Sequence, residues 1–135
     1  MDQRIFSQYV FDFLSKNFPE FLPTVKYNGD GSFECDLKSV SGKFSIWLAT
    51  YNSEITFGLE TPDGKTDVHT HVSCFEIADL EDCFNTLTGL IDEIRHHKKI
   101  VYQTGQGTYD WADYEKLLKE EDKKKRTFEK FFWSQ

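Results

Sequence analysis

Lys43-Phe44-Ser45-Ile46-Trp47-Leu48-Ala49-Thr50-Tyr51 and Glu54-Ile55-Thr56-Phe57-Gly58-Leu59-Glu60, separated by Asn52-Ser53, are the residues on which the fold turns. Apolar side chains recur at every second position: Phe44, Ile46 and Leu48, then Ile55, Phe57 and Leu59. A strand sends alternate side chains to opposite faces, so this period marks half-buried strands rather than a helix. The opposite face then carries Trp47 and Tyr51 on the first strand. On the second it carries Glu54, Thr56, Gly58 and Glu60. Asn52-Ser53 is short enough to turn the chain straight back on itself.

The same period extends in both directions. Upstream, Ser32–Lys38 alternates Phe33, Cys35 and Leu37 with Glu34, Asp36 and Lys38. The turn Asn28-Gly29-Asp30-Gly31 joins it to a short strand at Thr24–Tyr27, because Asn, Asp and Gly tolerate positive φ. Ser41-Gly42 supplies the turn into Lys43. Downstream, Pro62-Asp63-Gly64-Lys65 turns into a strand at Thr66–Ser73. Short turns at regular spacing predict an antiparallel meander of about five strands, one face on the core and one in water. Ile100–Thr104 reads as a further short strand.

Helical periodicity brackets this region. Ile5, Phe6, Tyr9, Val10, Phe13 and Leu14 form an apolar stripe over residues 3–17, which Pro19 and Pro23 end. Residues 80–97 repeat the pattern through Leu80, Cys83, Phe84, Leu87, Leu90, Ile91 and Ile94, with Asp79 as the expected N-cap. Arg95, His96, His97, Lys98 and Lys99 suit the negative end of that helix. Residues 110–133 read as a last helix, with Tyr114, Leu117 and Leu118 at one end and Phe128, Phe131 and Phe132 at the other. Lys119–Thr127 between them holds no apolar residue and reads as solvated on all sides, or as the place where the helix leaves the body. The expectation is one α+β domain over residues 1–135. An antiparallel meander of five to six strands is joined by an N-terminal helix, a helix after the sheet and a C-terminal helix. The last helix closes an edge or end of the sheet through Phe128, Phe131, Phe132 and Trp133.

A chain of 135 residues with 13 Phe, 6 Tyr and 3 Trp has enough apolar bulk to fold without disulfides or metal. Cys35, Cys74 and Cys83 are odd in number and irregular in spacing, which reads as buried, reduced thiols. Met1-Asp2-Gln3-Arg4 runs straight into the first stripe, so no leader is expected and a cytoplasmic location is the default. No apolar run is long enough to span a bilayer, so no membrane partner is expected. The net charge of −7 is uneven: residues 1–95 carry −9 and residues 96–135 carry +2. An acidic body repels nucleic acid and favours basic partners. The run Lys123-Lys124-Lys125-Arg126 abuts Glu120, Glu121 and Asp122, and so reads as a charged helix face.

Asp67-Val68-His69-Thr70-His71 is the segment most suggestive of chemistry. Asp67, His69 and His71 would stand in a row on one face, with Val68, Thr70 and Val72 on the other. Such a row serves as a metal half-site, an acid/base site, a contact patch or a solvated edge. A catalytic zinc needs a third protein ligand and an open position, and neither HExxH nor CxxC is present. No cofactor is therefore expected, and a metal-dependent enzyme using Asp67, His69 and His71 stays as an alternative. Cys74, three residues after His71, falls on the opposite face of a strand, which disfavours a Cys/His pair. There is no GxSxG elbow, and Gly105-Gln106-Gly107 lacks the lysine and spacing of a phosphate loop. Trp47, Tyr51, Glu54, Glu60, Asp63, Asp67, His69 and His71 together make a candidate acidic and aromatic contact patch. A general adaptor using this face is a further alternative.

The order strand, turn, Glu54-Ile55-Thr56-Phe57-Gly58, turn, His69-Thr70-His71, then an amphipathic helix resembles small acidic proteins of bacterial toxin–immunity loci. Those families often pair an E-[IV]-T-[VI] strand with an HxH strand, commonly with Trp before the first His, where this chain has Val68. The resemblance covers residues 43–95. It implies a cytosolic antitoxin that blocks a cognate toxin domain by binding, not by catalysis. Many such toxins are basic nucleases, and the contact residues of these families do not transfer.

Overall fold

The computed structural model describes residues 1–135. Helix α1 spans Gln3–Asn17, and the Asp2 carboxylate caps it by accepting from the amides of Arg4 and Ile5 at 2.9 and 3.1 Å. Its buried face is Phe6, Ser7, Val10 and Leu14, whereas Ile5 and Tyr9 from the expected stripe face solvent. A 3₁₀ segment, Pro19–Thr24, buries Phe21 completely. The expected strand at 24–27 therefore shrinks to β1 (Lys26–Tyr27). The Thr24 hydroxyl nevertheless meets both the amide and the carbonyl of Asp36, at 2.8 and 2.9 Å.

Strands β2 (Phe33–Lys38), β3 (Ser45–Ala49), β4 (Glu54–Glu60) and β5 (Val68–Ser73) follow. With β1 they form an antiparallel meander in sequence order. Phe33, Cys35, Phe44, Ile46, Leu48, Ile55, Phe57, Leu59 and Val72 all point to one face and enter the main core. Onto that face pack α1 and helix α2 (Leu80–Arg95), the latter through Leu80, Cys83, Leu87, Ile91 and Ile94. Asp79 does not cap α2 as expected. Its own backbone is already helical, and its carboxylate reaches back to the amides of Phe75 and Glu76 at 3.1 and 3.0 Å.

The C-terminal third differs from the expected single helix over 110–133. Strand β6 (Lys99–Gln103) turns through Gly105-Gln106-Gly107 into β7 (Tyr109–Asp113), and helix α3 covers only Tyr114–Lys124. Gly107 holds φ +79°, and Thr104 and Thr108 close the hairpin with a 2.7 Å backbone bond. Lys125, in the left-handed region, ends α3. The chain then returns as β8 (Lys130–Phe131) on the other side of β6, giving a second sheet in the order β7-β6-β8. The Glu121 carboxylate fixes this return by accepting from the Phe128 amide at 2.7 Å and the Lys130 ammonium at 2.6 Å. The apolar-free stretch thus holds the end of a helix and a loop, not a long solvated helix.

The second sheet is a middle layer. Val101, Tyr109, Trp111 and Phe131 pack on the main core, with Trp111 stacked on Phe57 at 5.9 Å. Ile100, Tyr102 and Ala112 face the other way, onto Leu117, Phe128 and Phe132. Trp133 then passes into the main core edge-on to Phe44, and Ser41 ties down the backbone carbonyls of Phe132 and Trp133. Of the four tail aromatics expected on the large sheet, Phe131 and Trp133 reach its core, as strand and coil, while Phe128 and Phe132 pack on the far side of the second sheet. Helices α1 and α2 and the second sheet pack on the inner face, where the main core lies, while His69 and His71 on the opposite face are exposed. No helix is long and apolar enough to cross a membrane.

Candidate functional site

Register decides what the outer face looks like. Across β2 to β5, Glu34, Ala49, Thr56 and His71 form one row, and Asp36, Trp47, Gly58 and His69 the next. Glu60 sits opposite Ser45 in a third. The centre of the face is therefore built of small residues, walled by Trp47 on one side and the histidines on the other. Gly58 is what permits the approach of those walls. A Cβ there would lie 3.0 Å from the Cβ of His69 and 3.1 Å from Cε3 of Trp47. Cross-strand neighbours of this kind are the unit of sheet packing.

An open depression of about 530 Å³ results. Trp47, Tyr51, Glu54, Asp67, His69 and His71 line it, so six of the eight candidate residues come together. Its lining holds two carboxylates and no lysine or arginine. Asn52, Thr56 and Thr66, outside the set of candidate residues, complete the wall. The alternation puts Thr56 on the wet face, yet between Ala49 and His71 it is only 5 % exposed, and its hydroxyl meets the His71 Nδ1 at 3.1 Å. Only the register, which pairs Thr56 with His71, reveals that contact.

Each candidate has a defined setting. The His71 Nδ1 stands 3.1 Å from the Glu54 carboxylate, and its ring meets His69 edge-on at 5.2 Å. The His69 Nδ1 faces the carbonyl of Thr66 at 3.3 Å. Tyr51 lies not on β3 but in the 3₁₀ turn Tyr51–Ser53, where Asn52 and Ser53 take positive φ. Its hydroxyl donates to the Glu34 carboxylate, and this bond, with partial burial, pushes the phenol above its usual range. Glu60 and Asp63 fall outside the depression. Asp63 belongs to the β4–β5 turn, where it accepts from the Thr61 hydroxyl at 2.5 Å. That bond, with the Lys65 amide, holds its carboxyl below the usual range.

The expected two-faced strand at 68–72 is present: Val68 and Val72 are buried, while His69 and His71 are exposed. Asp67 precedes the strand but reaches the same depression. No three His, Cys, Asp or Glu side chains in the molecule lie close enough to hold one metal ion. Cys74 is buried and turned away from His71, so the two make no nucleophile–base pair. His96 and His97 end α2 as expected. His97 also holds the tail, since its Nε2 meets the Ser134 hydroxyl at 3.0 Å. An aromatic wall beside carboxylates favours cationic groups. Comparison with protein-family models, with curated proteins and with solved structures finds no match.

Proposed function

We propose that this chain is a protein-binding inhibitor of the immunity type, which neutralises a basic toxin domain by seating it on the outer face of β1–β5. The observation that carries this reading is the outer sheet face with Trp47 and Tyr51 beside Glu54 and Asp67 in one depression. A half-buried aromatic beside charges of one sign has the make-up of a binding anchor. The −9 carried by residues 1–95 supplies long-range attraction to a basic partner, and the depression supplies the short-range fit. Many toxins that act on nucleic acid carry basic clefts for phosphate, and an acidic sheet face competes for the same cleft. The resemblance of residues 43–95 to immunity proteins points the same way.

The test is to read the neighbouring open reading frame and, where it encodes a large secreted protein with a basic C-terminal domain, to measure binding to that domain. The expected affinity is nanomolar, with association that slows as salt rises. E54K and D67K each slow association by about tenfold or more at low salt, while E129K, exposed and outside the depression, has the smaller effect. Absence of binding, or binding indifferent to E54K and D67K, refutes the proposal.

A further inference from the structure

Cys74 and Cys83 stand together where β5 ends and α2 begins. Cys74 directly follows β5, and Cys83 sits in the first turn of α2. The Cys83 thiol donates to the carbonyl of Ser73 at 2.9 Å, which puts its sulfur one peptide unit from Cys74. The Cys74 thiol points to the carbonyl of Glu76 at 3.6 Å, in the same short stretch between β5 and α2. Both residues are almost fully buried, yet each borders a surface depression. Cys74 lines one of about 490 Å³ with Met1, Gln3 and Phe75, and Cys83 lines one of about 270 Å³ with Val72 and Asp82. The link between them, Phe75–Ala78, is exposed, with Phe75 81 % and Ile77 59 % open to solvent. Cys35 is different: it faces the core from mid-strand β2, opposite Leu48, and lines neither depression.

We propose that Cys74 and Cys83 form a redox-active pair that closes to an intramolecular disulfide by exchange with a small-molecule disulfide. Neither cysteine lines the outer-face depression, although the depression beside Cys74 shares Asn52 and Glu54 with it; the chemistry does not rest on the binding function. The Cys74 thiol loses its proton and attacks one sulfur of the oxidant RS–SR, whose S–S bond breaks to release RSH. The Cys83 thiol then loses its proton and attacks the Cys74 sulfur of the mixed disulfide. A second RSH leaves, and the Cys74–Cys83 bond forms. Two protein thiols are oxidised, one external disulfide is reduced, and both protons end on the released thiols. Burial, with the neighbouring Cys74 thiol, pushes Cys83 up to about 12, so it holds little thiolate and is the poorer nucleophile for the first attack. The closed loop fastens β5 to α2 without crossing the core.

The native full-length chain is incubated with oxidised glutathione, then quenched in acid for thiol counting and peptide mapping. Free thiols are expected to fall from three to one, with Cys35 left reduced and Cys74 joined to Cys83. C74S and C83S are each expected to keep Cys35 reduced and to yield no internal cross-link. Retention of all three thiols in the folded wild-type chain overturns the proposal. So does a stable glutathione adduct at Cys74 with Cys83 still free, or a cross-link that includes Cys35. Because the wild-type count decides the matter, a variant that fails to fold does not blunt the test.

Discussion

Trp133→Ala tests the placement of the C-terminal tail. Trp133 is 6 % exposed and packs edge-on against Phe44 at 6.0 Å, in the largest core cluster. An aromatic side chain buries roughly 150–250 Å², worth about 4–6 kcal/mol at ~25 cal/mol per Å². That figure is an upper bound, because the unfolded chain already hides part of this surface. Truncations of buried Trp or Phe to Ala cost about 3–5 kcal/mol, so the expected loss is about 3 kcal/mol. The Ser41 amide still meets the carbonyl of residue 133, so the tail keeps its backbone anchor and the loss is one of packing. With a urea slope of about 1.5 kcal/mol/M, the unfolding midpoint falls by about 2 M. Circular dichroism and fluorescence should report the same midpoint, as expected for two-state unfolding. Were residues 110–133 a continuous helix with Trp133 at its frayed end, the change would stay within about 0.5 kcal/mol, as for surface sites. A midpoint shift below about 0.4 M therefore refutes the tail placement argued here.

Trp47→Ala is expected to separate binding from folding: partner affinity drops by tenfold or more, while stability changes by less than in Trp133→Ala, because Trp47 is only partly buried. Equal stability losses in the two variants would contradict this contrast. Gly58→Ala is expected to destabilise by about 1–2 kcal/mol, by analogy with overpacked cores. The new methyl would also lie 3.1 Å from the Val68 carbonyl oxygen, which is held by the strand and cannot swing away; a gain in thermal midpoint would show that strand propensity outweighs the crowding. Glu121 is held below its usual value of 4.5 by the Lys130 ammonium and the Phe128 amide. A carboxyl lowered on folding contributes stability above the unfolded value, and this is lost as the pH falls from about 4.5 through the folded value. Protection of the Phe128 amide from hydrogen exchange should therefore fall over that range, and in E121Q it should be low throughout. An unchanged acid profile in E121Q would remove Glu121 from this role.

What was legible in the chain itself is what short-range periodicity encodes. Period two at 32–38, 43–51, 54–60 and 68–73 determined the large meander and which face of each strand is dry. The 3.6-residue stripes located α1 and α2. The alternation Tyr109-Asp110-Trp111-Ala112-Asp113 was also present, but it runs into the helical stripe at Tyr114, and the longer signal masked it. Lys130–Phe131 is too short to show any period, and only its pairing with β6 makes it a strand. The depression depends on long-range register in the same way. The alternation put Trp47, Glu54, His69 and His71 on the wet face, but only the pairing of Trp47 with Gly58 and of Thr56 with His71 gathers them. Glu60 and Asp63 share the acidic character of that patch, yet strand length carries them past its end. Local patterning is a property of neighbours in the chain. Which side chains meet across strands, and which two of three buried thiols stand side by side, depends on turn geometry and packing between distant segments, and only the tertiary structure decides it.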